Sequence, residues 1–130
     1  MNTQLTSKEV SNKSTYPKTY EECCDILQLE HTFELKDLTT DEEKLIDSFI
    51  RLKRCRDAYW KIAGEERGWG KPWEPDWTDD TVKSTICYKG YIYICASVEY
   101  NRILAFPNHK MRDDFYENFK DLIEKCKELI

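Results

Sequence analysis

Apolar positions recur at helical spacing near the start of the chain. In the stretch TYEECCDILQLE, Thr19 and Glu22 stand three residues apart, which is the capping box of a helix N-terminus. Thr40 and Glu43 repeat this signature before a longer apolar stripe in DEEKLIDSFIRLKRCRDAYWKIAG. The pattern predicts two N-terminal helices, of which the second is the longer.

The pattern changes to β-type further along the chain. Residues 84–88 and 91–98 are rich in β-branched and aromatic side chains, and Lys89-Gly90 between them suits a two-residue hairpin turn. The run RILAF follows and ends at Pro107. We therefore predict a three-stranded antiparallel meander, with the second strand between the other two.

A last helix is predicted from Asn108, as its N-cap, through HKMRDDFYENFKDLIEKCKELI. Its apolar stripe is continuous and consists of Met111, Phe115, Phe119, Leu122, Cys126 and Leu129. Because such a stripe must be buried, we expect this helix to pack on the sheet. The predicted class is α+β: two N-terminal helices, a three-stranded antiparallel meander and a C-terminal amphipathic helix on the sheet.

Two regions differ in composition. Residues 1–18 are polar and lack apolar periodicity, so we expect an N-terminal arm. Residues 19–130 suffice for a single α+β domain with one core. The chain has no apolar run of about 18 residues and no signal-peptide core, so we expect no contact with a membrane and a cytosolic location.

Composition excludes several kinds of chemistry. The net charge of −5, from 20 basic and 25 acidic residues, argues against nucleic acid as a partner. The six cysteines include no CxxC pair, and the two histidines are isolated, so we expect free thiols, no metal and no cofactor. The acids Asp76, Asp79 and Asp80 could hold a divalent cation, but a solvated turn explains them better. We predict that the protein is not an enzyme.

The stretch GWGKPWEPDW, residues 68–77, is here called the tryptophan segment. Trp69, Trp73 and Trp77 are spaced as on a helix, but Pro72 and Pro75 forbid one. One interpretation is that the indoles fill gaps over the junction of helix and sheet. The other is that at least one indole stays exposed and binds a partner. The two interpretations are compatible.

Other residues complete the predicted binding surface. Tyr88, Tyr91 and Tyr93 cluster in the hairpin and are typical of protein interfaces. Four cations could meet a phosphate: Lys71, Lys83, Arg102 and Arg112. Arg56 falls within the apolar stripe of the second helix, so its charge needs either a carboxylate partner or an anionic ligand.

Three stretches together resemble a known family. YEECCDILQL, RDAYWKIAGEERGWGKPWEPDW and NRILAFPNHKMRDDFYENFKDLIEKCKELI are similar to parts of small uncharacterised proteins from phages and mobile elements of gut Bacteroidales. The resemblance covers residues 20–130 and rests mainly on WEPDW and the closing helix. It implies a phage context but assigns no catalytic residues to this chain.

The expected function follows from this context. We expect a non-catalytic, virion-associated binding and assembly protein that forms oligomers or contacts other phage subunits through its arm and aromatic surface. The alternative is a host-takeover, anti-defence protein that sequesters a small anionic ligand such as a nucleotide signal. Either protein would be found in the host cytoplasm during infection, and the first also in the virion.

Overall fold

The computed structural model describes residues 16–32, 40–97 and 102–130. Residues 1–15 of the predicted arm, and the end of the second predicted strand at Val98, lie outside these residues. The described part consists of helices and a three-stranded antiparallel sheet, so the predicted α+β class is confirmed.

The two predicted N-terminal helices are present as α1 (Tyr20–Leu27) and α2 (Asp41–Glu66). Each begins with a complete capping box, in which the Thr19 or Thr40 hydroxyl accepts the backbone N–H of the glutamate three residues later. The two helices pack against each other and bury the predicted apolar faces. Local side-chain chemistry thus sets both helix starts.

The sheet contains β1 (Lys83–Tyr88), β2 (Ile92–Ser97) and β3 (Leu104–Phe106) in the order β2-β1-β3. The strands are antiparallel as predicted, but the meander order is wrong, because β1 and not β2 is central. β1 lies in the middle of the sheet and is more buried than β2. β2 is an edge strand with partly exposed side chains.

The strand register gives the sheet two distinct faces. Ile86 lies opposite Leu104 and, with it, belongs to the core under the helices. The opposite face of the sheet carries the buried side chains of Thr85, Cys87 and Ala105. The β1–β2 loop has three residues between the paired ends of the strands rather than the predicted two.

The closing segment is not one continuous helix. It divides into α3 (His109–Asn118) and α4 (Lys120–Lys125), followed by a 3₁₀ turn, Lys127–Leu129. α3 packs on the sheet and the 3₁₀ turn also contacts β1, whereas α4 packs on α2. The break at Phe119 turns α4 so that Ile123 is buried in place of the predicted Leu122. The prediction of a single continuous helix is therefore wrong, while the predicted packing of its first half on the sheet is confirmed.

The core centres on Tyr59 of α2. Its ring makes edge contacts with the rings of Phe106, Phe115 and Phe119 and stacks on Tyr16 with a centroid distance of 5.2 Å. Its hydroxyl donates to the carbonyl of Pro17 at 2.8 Å. Tyr16 and Pro17 are buried, so the packed unit extends into the segment that the sequence assigned to the arm.

Candidate functional site: an aromatic cleft

The end of α2 fixes where the tryptophan segment lies. A Cβ atom on Gly64 would be only 2.0 Å from the Lys71 carbonyl oxygen, so the segment crosses α2 at a point that only glycine allows. Gly68 and Gly70 have φ of 69° and 48°, a left-handed conformation that glycine adopts without strain. The Trp69 N–H donates to the Gly64 carbonyl at 2.9 Å. These glycines fold the segment back along the helix.

Trp60 of α2 holds the middle of the segment. The Trp73 N–H donates to the Trp60 carbonyl at 2.9 Å, and the two indoles make an edge contact at 5.6 Å. The Trp60 Nε1–H in turn donates to the Ala105 carbonyl of β3 at 2.8 Å. Trp60 therefore connects helix, segment and sheet.

A cleft of about 360 Å³ lies between the tryptophan segment, the residues that lead into β1 and the end of β3. We call it the aromatic cleft. Its apolar wall is formed by Trp69, Trp73, Val82 and Pro107. Trp69 is 44% exposed and Val82 53% exposed, whereas Trp73 is 8% exposed. The wall thus combines one anchored indole with two exposed apolar side chains.

The rest of the lining is polar, with three acids and two cations: Arg67, Glu74, Asp76, Asp79, Thr81 and Lys83. The Lys83 ammonium is buried, pairs with Asp79 at 2.8 Å and also donates to the Asp76 carbonyl. Its charge is therefore satisfied within the fold.

Asp76 and Asp79, which we call the rim of the aromatic cleft, stay ionised at neutral pH. A hydrogen bond from the Thr78 hydroxyl holds the pKa of Asp76 below its usual range. The hydrogen bond from Lys83 does the same for the pKa of Asp79. The rim of the aromatic cleft is consequently anionic at neutral pH.

The structure separates the three predicted tryptophans. Trp73 is buried, as the first interpretation predicts, and Trp69 is exposed, as the second requires. That Trp69 binds a partner stays a prediction. Trp77 is half-buried, with the Lys83 ammonium 5.2 Å from its ring centroid. Lys71 is exposed and, with Trp69 and Gly70, lines a shallow depression beside the cleft.

The predicted tyrosines lie on the hairpin rather than in the cleft lining. Tyr91 is 67% exposed and its ring lies 5.5 Å from that of Tyr93, which is half-buried. Tyr88 is half-buried, with the Lys127 ammonium 5.6 Å from its ring centroid. The tyrosines on the hairpin and the tryptophans at the cleft therefore form two separate patches.

Two of the predicted arginines bond inside the fold. Arg112 is buried, pairs with Asp113 at 2.9 Å and donates to the Cys95 carbonyl at 3.2 Å. Arg56 pairs with Asp57 at 2.7 Å and lies over the Trp60 ring. The structure thus provides Arg56 with the carboxylate partner that the sequence required.

Arg102 lies before β3 and is half-buried. It is close enough to Cys87 for its charge to oppose, in part, the effect of burial, which raises the pKa of that thiol. Arg102 is therefore placed near the second face of the sheet rather than near the tryptophans.

Sequence reasoning missed three apolar residues of the site: Trp60, Val82 and Pro107. Trp60 lies beside the apolar stripe of α2 in the sequence. This position only weakly indicates that Trp60 faces the tryptophan segment. Val82 and Pro107 meet only because β1 and β3 are neighbours in the sheet, and the predicted meander would not pair those strands.

The described residues show few arrangements suited to catalysis. Within residues 16–32, 40–97 and 102–130, no three or more His, Cys, Asp or Glu side chains converge as a metal site requires. Asp76 and Asp79 instead accept backbone N–H groups of Thr78 and Thr81, as in ordinary turns. The Ser84 hydroxyl meets His109 Nδ1 at 2.9 Å, but Ser84 is buried under α3.

Comparison with protein-family models, with curated proteins and with solved structures found no match to this chain. The resemblance to phage and mobile-element proteins therefore stays a prediction. Among the helices that the structure describes, none combines the length and the apolar character that a membrane crossing requires.

Proposed function

We propose that this protein is a non-catalytic binding protein that uses the aromatic cleft to hold another protein subunit. The observation that carries the proposal is the exposed Trp69 indole beside Val82, on a backbone fixed by Gly64 and Trp60. Tryptophans on rigid supports are favoured anchors at protein interfaces, because little conformational entropy is lost on binding.

The charge around the cleft favours a protein over an anion. Glu74, Asp76 and Asp79 line it against two cations, of which Lys83 is paired with Asp79 and Arg67 donates to the Ala63 carbonyl. An anionic ligand would meet repulsion from these carboxylates, whereas a basic and apolar surface would not. Together with the phage resemblance, this supports an assembly partner within a phage particle.

The first test is the composition of particles purified from the phage or mobile element that encodes the chain. If the protein is virion-associated, mass spectrometry of washed particles will detect it together with the other subunits. Its absence from particles whose other subunits are all detected would reject virion association.

The second test locates the contact. A photo-crosslinking amino acid at position 69, in cells that produce particles, should form a covalent adduct with a particle subunit. Position 46 is the matched control, because Ile46 is 49% exposed and lies near the other end of α2. Equal crosslinking from the two positions would contradict a specific role for the cleft.

One observation supports the alternative of a sequestered nucleotide. Trp69 and Lys71 line the same shallow depression, so a base could stack on the indole while a phosphate meets the ammonium. Titration calorimetry with a panel of mono-, di- and cyclic nucleotides tests this. Binding that Trp69→Ala and Lys71→Ala both weaken would favour sequestration, and a flat response would reject it.

A further inference from the structure

Two thiols meet on the sheet face that is opposite the helices. Cys87 of β1 and Cys95 of β2 have their sulfur atoms 3.8 Å apart. The Thr85 hydroxyl oxygen lies 3.0 Å from the Cys95 sulfur and 3.5 Å from that of Cys87. Cys95 is directly opposite Thr85 in the register, so the two cysteines are diagonal neighbours across the strand pair.

We propose that Cys87 and Cys95 are an oxidation site, at which a peroxide converts the two thiols into a reversible disulfide that joins β2 to β1. This inference is independent of the aromatic cleft, whose lining includes neither cysteine.

The geometry supports a bond that forms and also breaks. The sulfur atoms must approach from 3.8 Å to about 2.05 Å. Diagonal neighbours in a sheet are about 7–8 Å apart, which exceeds the usual Cα separation in a disulfide, so the strands must shift before the bond forms. β2 can shift because, among the described residues, it pairs only with β1. A strained disulfide is more easily reduced than a relaxed one, which makes the reaction reversible.

The exposure of the two thiols gives the order of steps. Cys95 is half-buried and Cys87 is fully buried, so peroxide reaches Cys95 first. The Cys95 thiol releases its proton, the thiolate attacks one peroxide oxygen, and the O–O bond breaks to give a sulfenic acid. The displaced hydroxide takes up that proton and leaves as the first water. The Cys87 sulfur then attacks the Cys95 sulfur, the S–O bond breaks, and a second water leaves. Both sulfurs are oxidised by one electron each, and one peroxide is reduced to two waters.

The other four cysteines provide an internal comparison. Cys23, Cys24, Cys55 and Cys126 are all fully buried between helices. Cys23 and Cys55 also contact each other, and their hydrogen bond helps to raise the pKa of Cys23. Because neither of them is exposed, peroxide should not join this second pair in the folded protein.

The test is disulfide mapping of the unchanged chain. After treatment of the folded protein with hydrogen peroxide, free thiols are alkylated in denaturant, and trypsin cuts after Lys89, between the two cysteines. We expect two fewer alkylated thiols than the six of the reduced chain. The peptides that contain Cys87 and Cys95 should be joined at about 2 Da below their summed mass, and dithiothreitol should separate them.

Two outcomes would overturn the proposal. In one, the Cys87 and Cys95 peptides are recovered alkylated at peroxide concentrations that already oxidise methionine. In the other, Cys23 and Cys55 are joined while the hairpin thiols stay free.

Variants extend the test. In Cys95→Ser the joined peptides should be lost, whereas in Cys126→Ala, which removes a lone buried thiol, they should persist. The mapping of the unchanged chain decides the proposal even if either variant folds poorly. Amide exchange measures the consequence: protection of β2 should increase in the oxidised protein, and unchanged protection would show that the bond does not hold the strand.

Discussion

Gly64 shows how a single residue can position the candidate site. Its missing side chain leaves the space that the Lys71 carbonyl oxygen occupies, and its own carbonyl accepts the Trp69 N–H. Elsewhere in a helix, alanine is more stable than glycine by about 1 kcal/mol. At Gly64 this order is reversed, because the neighbouring atoms belong to the backbone and cannot rotate away.

We predict that Gly64→Ala lowers the free energy of unfolding by about 1–3 kcal/mol, the usual cost of overpacking. Urea unfolding followed by tryptophan fluorescence measures it. The control is the exposed neighbour Glu65→Ala, for which a change within about 0.5 kcal/mol is expected. A more stable Gly64→Ala protein would contradict the close approach of the segment to α2.

Tyr16 and Tyr59 give the protein a predictable response to alkali. Burial raises the pKa of Tyr16 to about 12, and burial also raises the pKa of Tyr59 above its usual value. In the unfolded chain both phenols ionise near pH 10. Above that pH the unfolded state therefore releases protons that the folded state keeps, and stability falls as the pH rises.

We expect the urea concentration at the unfolding midpoint to decrease as the pH rises from about 10, where the free phenol titrates, to about 12, the pKa of Tyr16. In Tyr16→Phe the ring stays stacked on Tyr59 but the hydroxyl is gone, so this fall should be smaller. Tyr91→Phe, at an exposed site, is the control. Equal slopes for the two variants would show that burial of Tyr16 is not linked to the pH response.

At the scale of the element, turns and caps are determined locally while breaks and strand order are not. Thr19 and Thr40 fix the starts of α1 and α2 through contacts within four residues. The break at Phe119 occurs without proline or glycine, and it allows both Phe119 and Ile123 to reach the core around Tyr59. The apolar periodicity predicted one continuous helix, because the spacing of residues along the chain carries no information on the shape of that core.

The turn before β1 should lose stability as the solution becomes acidic. Lys83 lowers the pKa of Asp79 in the folded state. The stabilisation is therefore present above the usual aspartate pKa and is lost as the pH falls through the lowered folded value. We predict that Asp79→Asn is less stable than the unchanged protein at neutral pH and that the difference shrinks in acid.

Thermal unfolding at several pH values measures this difference. Asp80→Asn is the matched control, since Asp80 is an exposed neighbour outside the cleft lining. If the two variants show the same pH dependence, the ion pair with Lys83 does not anchor the turn.

At the scale of the whole molecule, the tryptophan segment both holds the fold together and offers a surface. Trp73 is packed on Trp60, while Trp69 lies on the outside. We predict that Trp73→Ala lowers the free energy of unfolding by about 3–5 kcal/mol, as for other buried aromatic residues. Trp69→Ala should change it by less than about 1 kcal/mol and should instead reduce partner binding.

The two measurements are denaturant unfolding and recovery of the variant in purified particles. The proposed function requires that Trp69→Ala is folded yet poorly incorporated. A destabilised Trp69→Ala protein would instead show that both indoles are structural, and the cleft would then lose its role.

The sequence by itself determined the α+β class, the starts of α1, α2 and α3 and the approximate positions of the three strands, because caps and periodicity act between residues close in the chain. It also indicated that the tryptophan segment could not be a helix and that Arg56 needed an acceptor. Only the tertiary structure decided which strand is central, where the closing helix breaks and which indole is exposed. These outcomes depend on packing between residues far apart in the chain, such as Tyr59 with Phe119 and β1 with β3.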